Sequence, residues 1–122
     1  MYSLIKEINE EGIYFPVWAV CQGFEVLLSI EAGSFDVLEV STRWFKPSSL
    51  MIENDASLFG MSKSDLEMRE MTYNVHHLGI SEEKWKLFDL NKSFQIISYS
   101  FDDEDQLCVT TAKHLKYPFV VF

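Results

Sequence analysis

Apolar residues recur at helical spacing at the start of the chain. Leu4, Ile5 and Ile8, within Tyr2 to Asn9, share one helix face. Glu10-Glu11-Gly12 ends that helix, glycine being the common stop. Phe15 to Val20 is a nearly continuous run of aromatic and β-branched residues, the composition of a central parallel strand covered on both faces. Phe24 to Ala32 then reads as a helix with Phe24, Leu27, Leu28 and Ala32 inward, stopped by Gly33. Strand, turn and helix make half of a βαβ unit.

The middle of the chain is less regular. Phe35, Val37, Leu38 and Val40 suggest a short strand; Pro47 interrupts the next apolar stretch, which resumes at Leu50-Met51-Ile52. Ala56 to Met71 reads as one or two short helices around Gly60, with Ser62 or Ser64 as N-cap and Asp65 and Glu67 in the first turn. Thr72 to His76 is a strand running into the loop His77-Leu78-Gly79, and Ser81 caps a helix through about Phe88. Phe94 to Phe101 and Leu107 to Ala112 are two strands joined by Asp102-Asp103-Glu104-Asp105, a hairpin. Lys116-Tyr117-Pro118 leads into a last apolar strand, Phe119 to Phe122.

The chain has 122 residues, 48% of them apolar and 15% aromatic, which fits one folded domain with a modest core. Its net charge of −9 leaves no basic stripe to displace phosphate counterions, so a nucleic-acid partner is excluded and an anionic membrane disfavoured. No apolar run has the length of a membrane span, and the N-terminus lacks the pattern of a secretory signal. Cys21 and Cys108 are the only cysteines, too few for a disulfide scaffold. Asp102 to Asp105 lacks the alternating ligands and terminal glutamate of a calcium loop, and His76-His77 has no second cluster at zinc spacing; no metal is expected. Cys108, on an apolar strand, reads as packing, and Trp18, Trp44 and Trp85 as core or pocket wall. His114, at the exit of the hairpin, reads as a surface residue.

Cys21 is the candidate for chemistry. It ends an apolar strand, Gly23 follows two residues later, and a helix begins there. A tight strand-to-helix turn of this kind presents a nucleophile at the top of an α/β sheet. The Gln22 N–H would then face the same side as the thiol as an oxyanion donor, the helix N-terminus would favour thiolate, and Gly23 would allow close packing at the turn. The bland alternative is a buried cysteine acting as a small hydrophobe.

The segment Tyr14-Phe15-Pro16-Val17-Trp18-Ala19-Val20-Cys21-Gln22-Gly23-Phe24-Glu25 resembles the nucleophile segment of gamma-glutamyl hydrolases, cysteine peptidases of the class I glutamine amidotransferase-like superfamily. Ala19 stands where the superfamily pattern Gly-x-Cys-x-Gly has its first glycine. Asn74-Val75-His76-His77-Leu78-Gly79-Ile80-Ser81 resembles the family's histidine-containing loop, and Lys116 to Phe122 resembles the strand before its catalytic histidine. The family continues there into Gln-x-His-Pro-Glu, and this chain stops at Phe122. Its glycine-rich oxyanion loop is also missing.

The resemblance implies an α/β fold, a three-layer α/β/α sandwich with a mostly parallel, flavodoxin-like sheet and an added antiparallel hairpin. Residues 1–122 would form a single partial domain, incomplete at both ends. It implies hydrolysis of γ-glutamyl bonds in folate poly-γ-glutamates, a small-molecule substrate, without a cofactor. Cys21 would be the nucleophile, Gln22 the backbone oxyanion donor, and His76 a substrate-binding residue beside the site that is also a candidate stand-in for the absent base. A polyanionic substrate calls for cations, and Arg43, Lys46, Arg69 and Lys116 are the candidates. The family's compartments are lysosome, vacuole or the extracellular space; oligomeric state is not legible. An inactive fragment and a non-catalytic binding domain that kept the turn for structure are the competing readings.

Overall fold

A computed structural model describes residues 1–41, 44–54, 57, 60–70, 72–75 and 77–122, with backbone alone for 44–46 and 73–75. Helix α1 spans Tyr2–Glu10. Gly12, at φ 84°, takes the left-handed turn that follows and donates to the Asn9 carbonyl. Strand β1 (Val17–Ala19) is shorter than the apolar run that contains it, and α2 (Gln22–Ala32) starts two residues before Phe24. Phe24, Leu27 and Leu28 are buried as their spacing predicts, and Gly33 closes α2 in the left-handed conformation.

The expected strand after α2 is divided. Phe35–Val37 forms a 3-10 turn whose Ser34 hydroxyl accepts from the Asp36 N–H, and only Glu39–Val40 is strand, β2. Strand β3 (Trp44–Ser48) runs through Pro47 rather than breaking there. It pairs antiparallel with β5 (Thr72–Val75) in a two-stranded ribbon, where both strands are edges and a missing N–H is tolerated. Between them lie β4 (Met51–Ile52) and α3 (Lys63–Met68). Ser62 caps α3, accepting from the Asp65 N–H; Ser64 lies inside the helix. Strand β6 (Leu78–Gly79) pairs with β2, and α4 (Glu82–Leu87) is capped by Ser81 as expected.

The main sheet has the order β1-β9-β8-β7-β4, with β7 at Phe94–Phe101, β8 at Leu107–His114 and β9 at Phe119–Val121. Only β1 and β9 are parallel; β4–β7, β7–β8 and β8–β9 are antiparallel. The expectation of a mostly parallel sheet is therefore wrong for this chain. Parallel neighbours need a crossover of a dozen residues or more, whereas short turns join β7 to β8 and β8 to β9. The acidic turn is structural: the buried Asp102 carboxylate accepts from the Glu104 and Gln106 N–H groups, both at 2.9 Å. One apolar cluster joins Phe24, Leu27 and Leu28 of α2, Trp85 of α4, Phe94, Val109, Ala112 and Val121 of the sheet, and Tyr2 of α1. A three-layer sandwich is not seen in these packing relations. Among the described residues no helix is long and apolar enough to cross a membrane.

Candidate active site

Cys21 is the hinge between β1 and α2. Its N–H donates to the Phe122 carbonyl at 2.8 Å, and the Phe122 N–H donates back to the Ala19 carbonyl at 2.9 Å. The Gly23 N–H donates to the Val20 carbonyl at 2.8 Å, closing a tight turn, and the Cys21 carbonyl already accepts the first helical bond from the Glu25 N–H. Satisfying both sides holds Cys21 at φ 54°, ψ −114°. That backbone crowds Cβ against the carbonyl and costs on the order of 1–3 kcal/mol for any residue but glycine. The strain therefore falls on the cysteine itself. A methyl at Gly23 would lie 3.6 Å from the Ala19 Cβ, an ordinary contact, so the tight packing expected at Gly23 is modest.

The thiol is exposed, not a buried hydrophobe. It opens onto a small cleft of about 50 Å³ lined by Cys21, Phe24, Glu25, Ser41, Gly79, Cys108, Val109, Thr110 and Phe122. The Gln22 N–H, at the first position of α2, has no acceptor within its helix. Ser41 reaches the cleft because its N–H donates to the His77 carbonyl at 2.7 Å, which ties β2 to the β6 loop. Gly79 forms part of the wall: a Cβ there would lie 3.4 Å from the Ser41 Cβ and 3.7 Å from the Cys108 sulfur. Cys108 is buried, as packing predicts, yet it borders the same cleft.

The other sequence-predicted residues scatter. His76 and Arg43 lie outside the described residues, as does the Lys46 side chain. Arg69 pairs with Asp65 on α3, and Lys116 bonds Glu10; neither lines the cleft. Glu25 is the one charged side chain among the described lining residues, so this wall is acidic. The Trp44 side chain lies outside the described residues, Trp85 is buried, and Trp18 is exposed against expectation, its ring edge-on to Phe122 at 5.5 Å. Sequence reasoning missed Ser41, Gly79 and Thr110 as cleft walls. Gly79 and Glu25 lay inside the distinctive segments, but nothing in their spacing pointed to a shared cavity.

His114 is not the surface residue it was expected to be. Its Nδ1 accepts from the Lys116 and Tyr117 N–H groups at 3.0 and 3.2 Å. The ring packs between Phe94 and Tyr117, each at 4.8 Å, and Phe119 at 5.6 Å. Burial lowers its pKa, Lys6 and Lys116 add to that, and Glu31 opposes it. Glu31 accepts from Tyr2 (2.7 Å) and Lys6 (2.8 Å); burial pushes its carboxyl up, but the hydrogen bonds outweigh burial and hold it below the usual range. Burial, then Glu31, push the Tyr2 phenol well above its ordinary value. All these groups lie at the opposite end of β9 from Cys21, so the His114 ring is no base for that thiol.

No family model matches the chain. It is similar to gamma-glutamyl hydrolase of Glycine max, 34% identical over 130 residues, which cover 99% of this chain and 38% of the relative. Gamma-glutamyl hydrolase 2 of Arabidopsis thaliana is 26% identical over 100% of this chain and 38% of its own length. The human gamma-glutamyl hydrolase is 26% identical over 96% of this chain and 39% of its own length. The resemblance to gamma-glutamyl hydrolases thus extends over the whole chain, while the chain spans less than two-fifths of these relatives.

Proposed function

We propose that this chain, similar along its full length to a segment of gamma-glutamyl hydrolases, carries the nucleophile of γ-glutamyl hydrolysis in Cys21. The observation that supports this reading most is the strained, exposed Cys21 at the mouth of a cleft. The Cys21 sulfur attacks the γ-carbonyl carbon of the substrate, here a folate poly-γ-glutamate. The carbonyl electrons move onto oxygen, and the Gln22 N–H at the start of α2 donates to that oxyanion. Its collapse expels the amine, which takes up the proton that left the Cys21 thiol, and leaves a γ-glutamyl thioester on Cys21. Water then attacks the thioester carbonyl, the C–S bond breaks to release the free γ-carboxyl product, and a proton from that water returns to the sulfur. His76 is assigned to substrate binding by resemblance alone.

A second reading is favoured by the cleft's lining, which includes no imidazole among its described residues. On that reading the chain positions the nucleophile but turns over nothing without a base supplied from elsewhere. Two measurements separate the readings. Iodoacetamide labelling at neutral pH is expected to modify Cys21 faster than a cysteine in an unstructured peptide; labelling at or below the peptide rate defeats the nucleophile assignment. Cleavage of a folate poly-γ-glutamate that disappears in Cys21→Ser supports the enzyme reading. Fast labelling without cleavage supports the second.

A further inference from the structure

We propose that Asn91 carries an N-linked glycan. Asn91-Lys92-Ser93 is the triplet such glycans require: asparagine, any residue but proline, then a hydroxyl. Triplets of this kind also arise by chance; the fold sets this one apart. The chain has four asparagines, and only Asn91 stands in such a triplet. Asn9 and Asn54 spend their amide nitrogens inside the fold. Asn9 Nδ2 donates to the Ile5 and Phe15 carbonyls at 2.9 and 3.0 Å, and Asn54 Nδ2 donates to the Ile96 carbonyl at 2.6 Å. The Asn74 side chain lies outside the described residues. Asn91 is exposed, and its amide makes no hydrogen bond among the described residues. A sugar on its Nδ2 displaces no native bond.

Asn91 is the middle residue of the 3-10 turn Leu90–Lys92, between α4 and β7. Nearby groups close that turn. The Asp89 N–H donates to the Lys86 carbonyl, the Lys92 N–H to the Asp89 carbonyl, the Ser93 N–H to the Leu90 carbonyl, and the Leu115 N–H to the Ser93 carbonyl, at 2.8 to 3.1 Å. Leu90 and Phe94, on either side, are buried in the main cluster and anchor it. Register sets Phe94 against His114, at the end of the sheet away from Cys21. A glycan here leaves the cleft uncovered. Leu87, four residues before Asn91, and Leu115, bonded to Ser93, are exposed apolar side chains that it would cover.

The fold also sets the time of transfer. In the folded chain the Ser93 hydroxyl donates to the Glu31 carboxylate of α2, and the Ser93 N–H and carbonyl are both bonded. The hydroxyl that completes the triplet is engaged once α2 and β7 have met, so the sugar is added before the chain folds. The donor is an oligosaccharide linked through pyrophosphate to a lipid. The Asn91 Nδ2 attacks the anomeric carbon of its first sugar. A C–N bond forms, the C–O bond to pyrophosphate breaks, the lipid pyrophosphate leaves with the electron pair, and one Nδ2 proton is released. Such donors stand in the secretory pathway, so the proposal requires a routing signal outside residues 1–122.

Mass spectrometry of the natural protein tests this. Peptide N-glycosidase in heavy-oxygen water is expected to convert Asn91 to labelled aspartate, read in the tryptic peptide Leu87–Lys92. Sent through the secretory pathway of a eukaryotic host behind an added leader, the chain is expected to gain the mass of one glycan, which the same enzyme removes. Asn91→Gln is expected to lose that mass completely and, on an exposed turn, to keep the native circular dichroism. Ser93→Thr keeps the hydroxyl and is expected to keep the glycan. Purified oligosaccharyltransferase with its lipid-linked donor is expected to modify a synthetic Leu87–Gln95 peptide and to leave the folded chain bare. An unmodified Leu87–Lys92 peptide from the natural protein overturns the proposal, as does a host-secreted chain bare at Asn91 or a glycan that survives in Asn91→Gln. Transfer to the folded chain as fast as to the peptide overturns the order of transfer and folding.

Discussion

At the start of β9, His114 receives two main-chain N–H groups on one ring nitrogen and is enclosed by Phe94, Tyr117 and Phe119. At its end, Phe122 exchanges hydrogen bonds with the β1 end beside an exposed thiol and an open cleft. One three-residue strand thus joins a region where side chains are spent on cohesion to one where backbone strain is tolerated. Substitutions at the first end should cost stability, and those at the second should cost chemistry while sparing or raising stability.

The largest effect is expected from Phe119→Ala. Phe119 is fully buried, and removing such a ring costs about 3–5 kcal/mol, much of what holds a domain of this size. Urea unfolding followed by circular dichroism reads it directly; a loss under 1 kcal/mol would mean that this end is not the cohesive one. His114→Ala leaves the exposed Lys116 N–H and the part-buried Tyr117 N–H without their acceptor, at about 1 kcal/mol. His114→Asn keeps an acceptor near the Nδ1 position and should recover part of that.

The same pair separates by pH. Folding favours the neutral imidazole, since Nδ1 is occupied as an acceptor and burial lowers its pKa. Its contribution is complete above the unfolded value of about 6.5 and is lost as pH falls through the lower folded value. Melting temperatures of the native chain should therefore fall below pH 6.5 more steeply than those of His114→Asn. Parallel curves would remove His114 as the cause. Lys6, Glu31 and Lys116 face this ring in both proteins, so their titration largely cancels in the comparison.

At the other end the sign reverses. Cys21→Gly relieves the positive φ and is expected to stabilise the chain by about 1 kcal/mol while ending any thiol chemistry. A destabilised Cys21→Gly would show that the turn holds no strain. Gly79→Ala is the mildest change: its methyl meets Ser41 and Cys108 at contact distances, so stability should move by under about 1 kcal/mol. Alkylation of Cys21 by a bulky maleimide should slow more than alkylation by iodoacetamide; equal slowing would place Gly79 outside the cleft.

Where a residue's role depended on its near neighbours, it was legible in the chain. Leu27 and Leu28 face the core because of their spacing, Ser81 caps α4 because its hydroxyl reaches the third N–H along, and the 94–114 hairpin follows from two apolar runs around an acidic turn. Cys21 was found the same way, as the last residue of an apolar run before a helix. What failed were statements about who lies beside whom. Pro47 sits in a strand because its ribbon has two free edges, and Trp18 is exposed because it lies on the face of β1 opposite Val17 and Ala19, which pack on the core.

The sequence by itself therefore determined the local elements, the acidic surface and the cysteine at the strand-to-helix turn. These depend on φ/ψ preferences and spacings within a few residues. Tertiary structure alone decided that β9 returns beside β1, that Ser41, Gly79, Cys108 and Thr110 surround the thiol, and that His114 is locked away at the far end. Those outcomes depend on which strand edges meet across tens of residues, and hydrophobic pattern does not specify a partner for an edge.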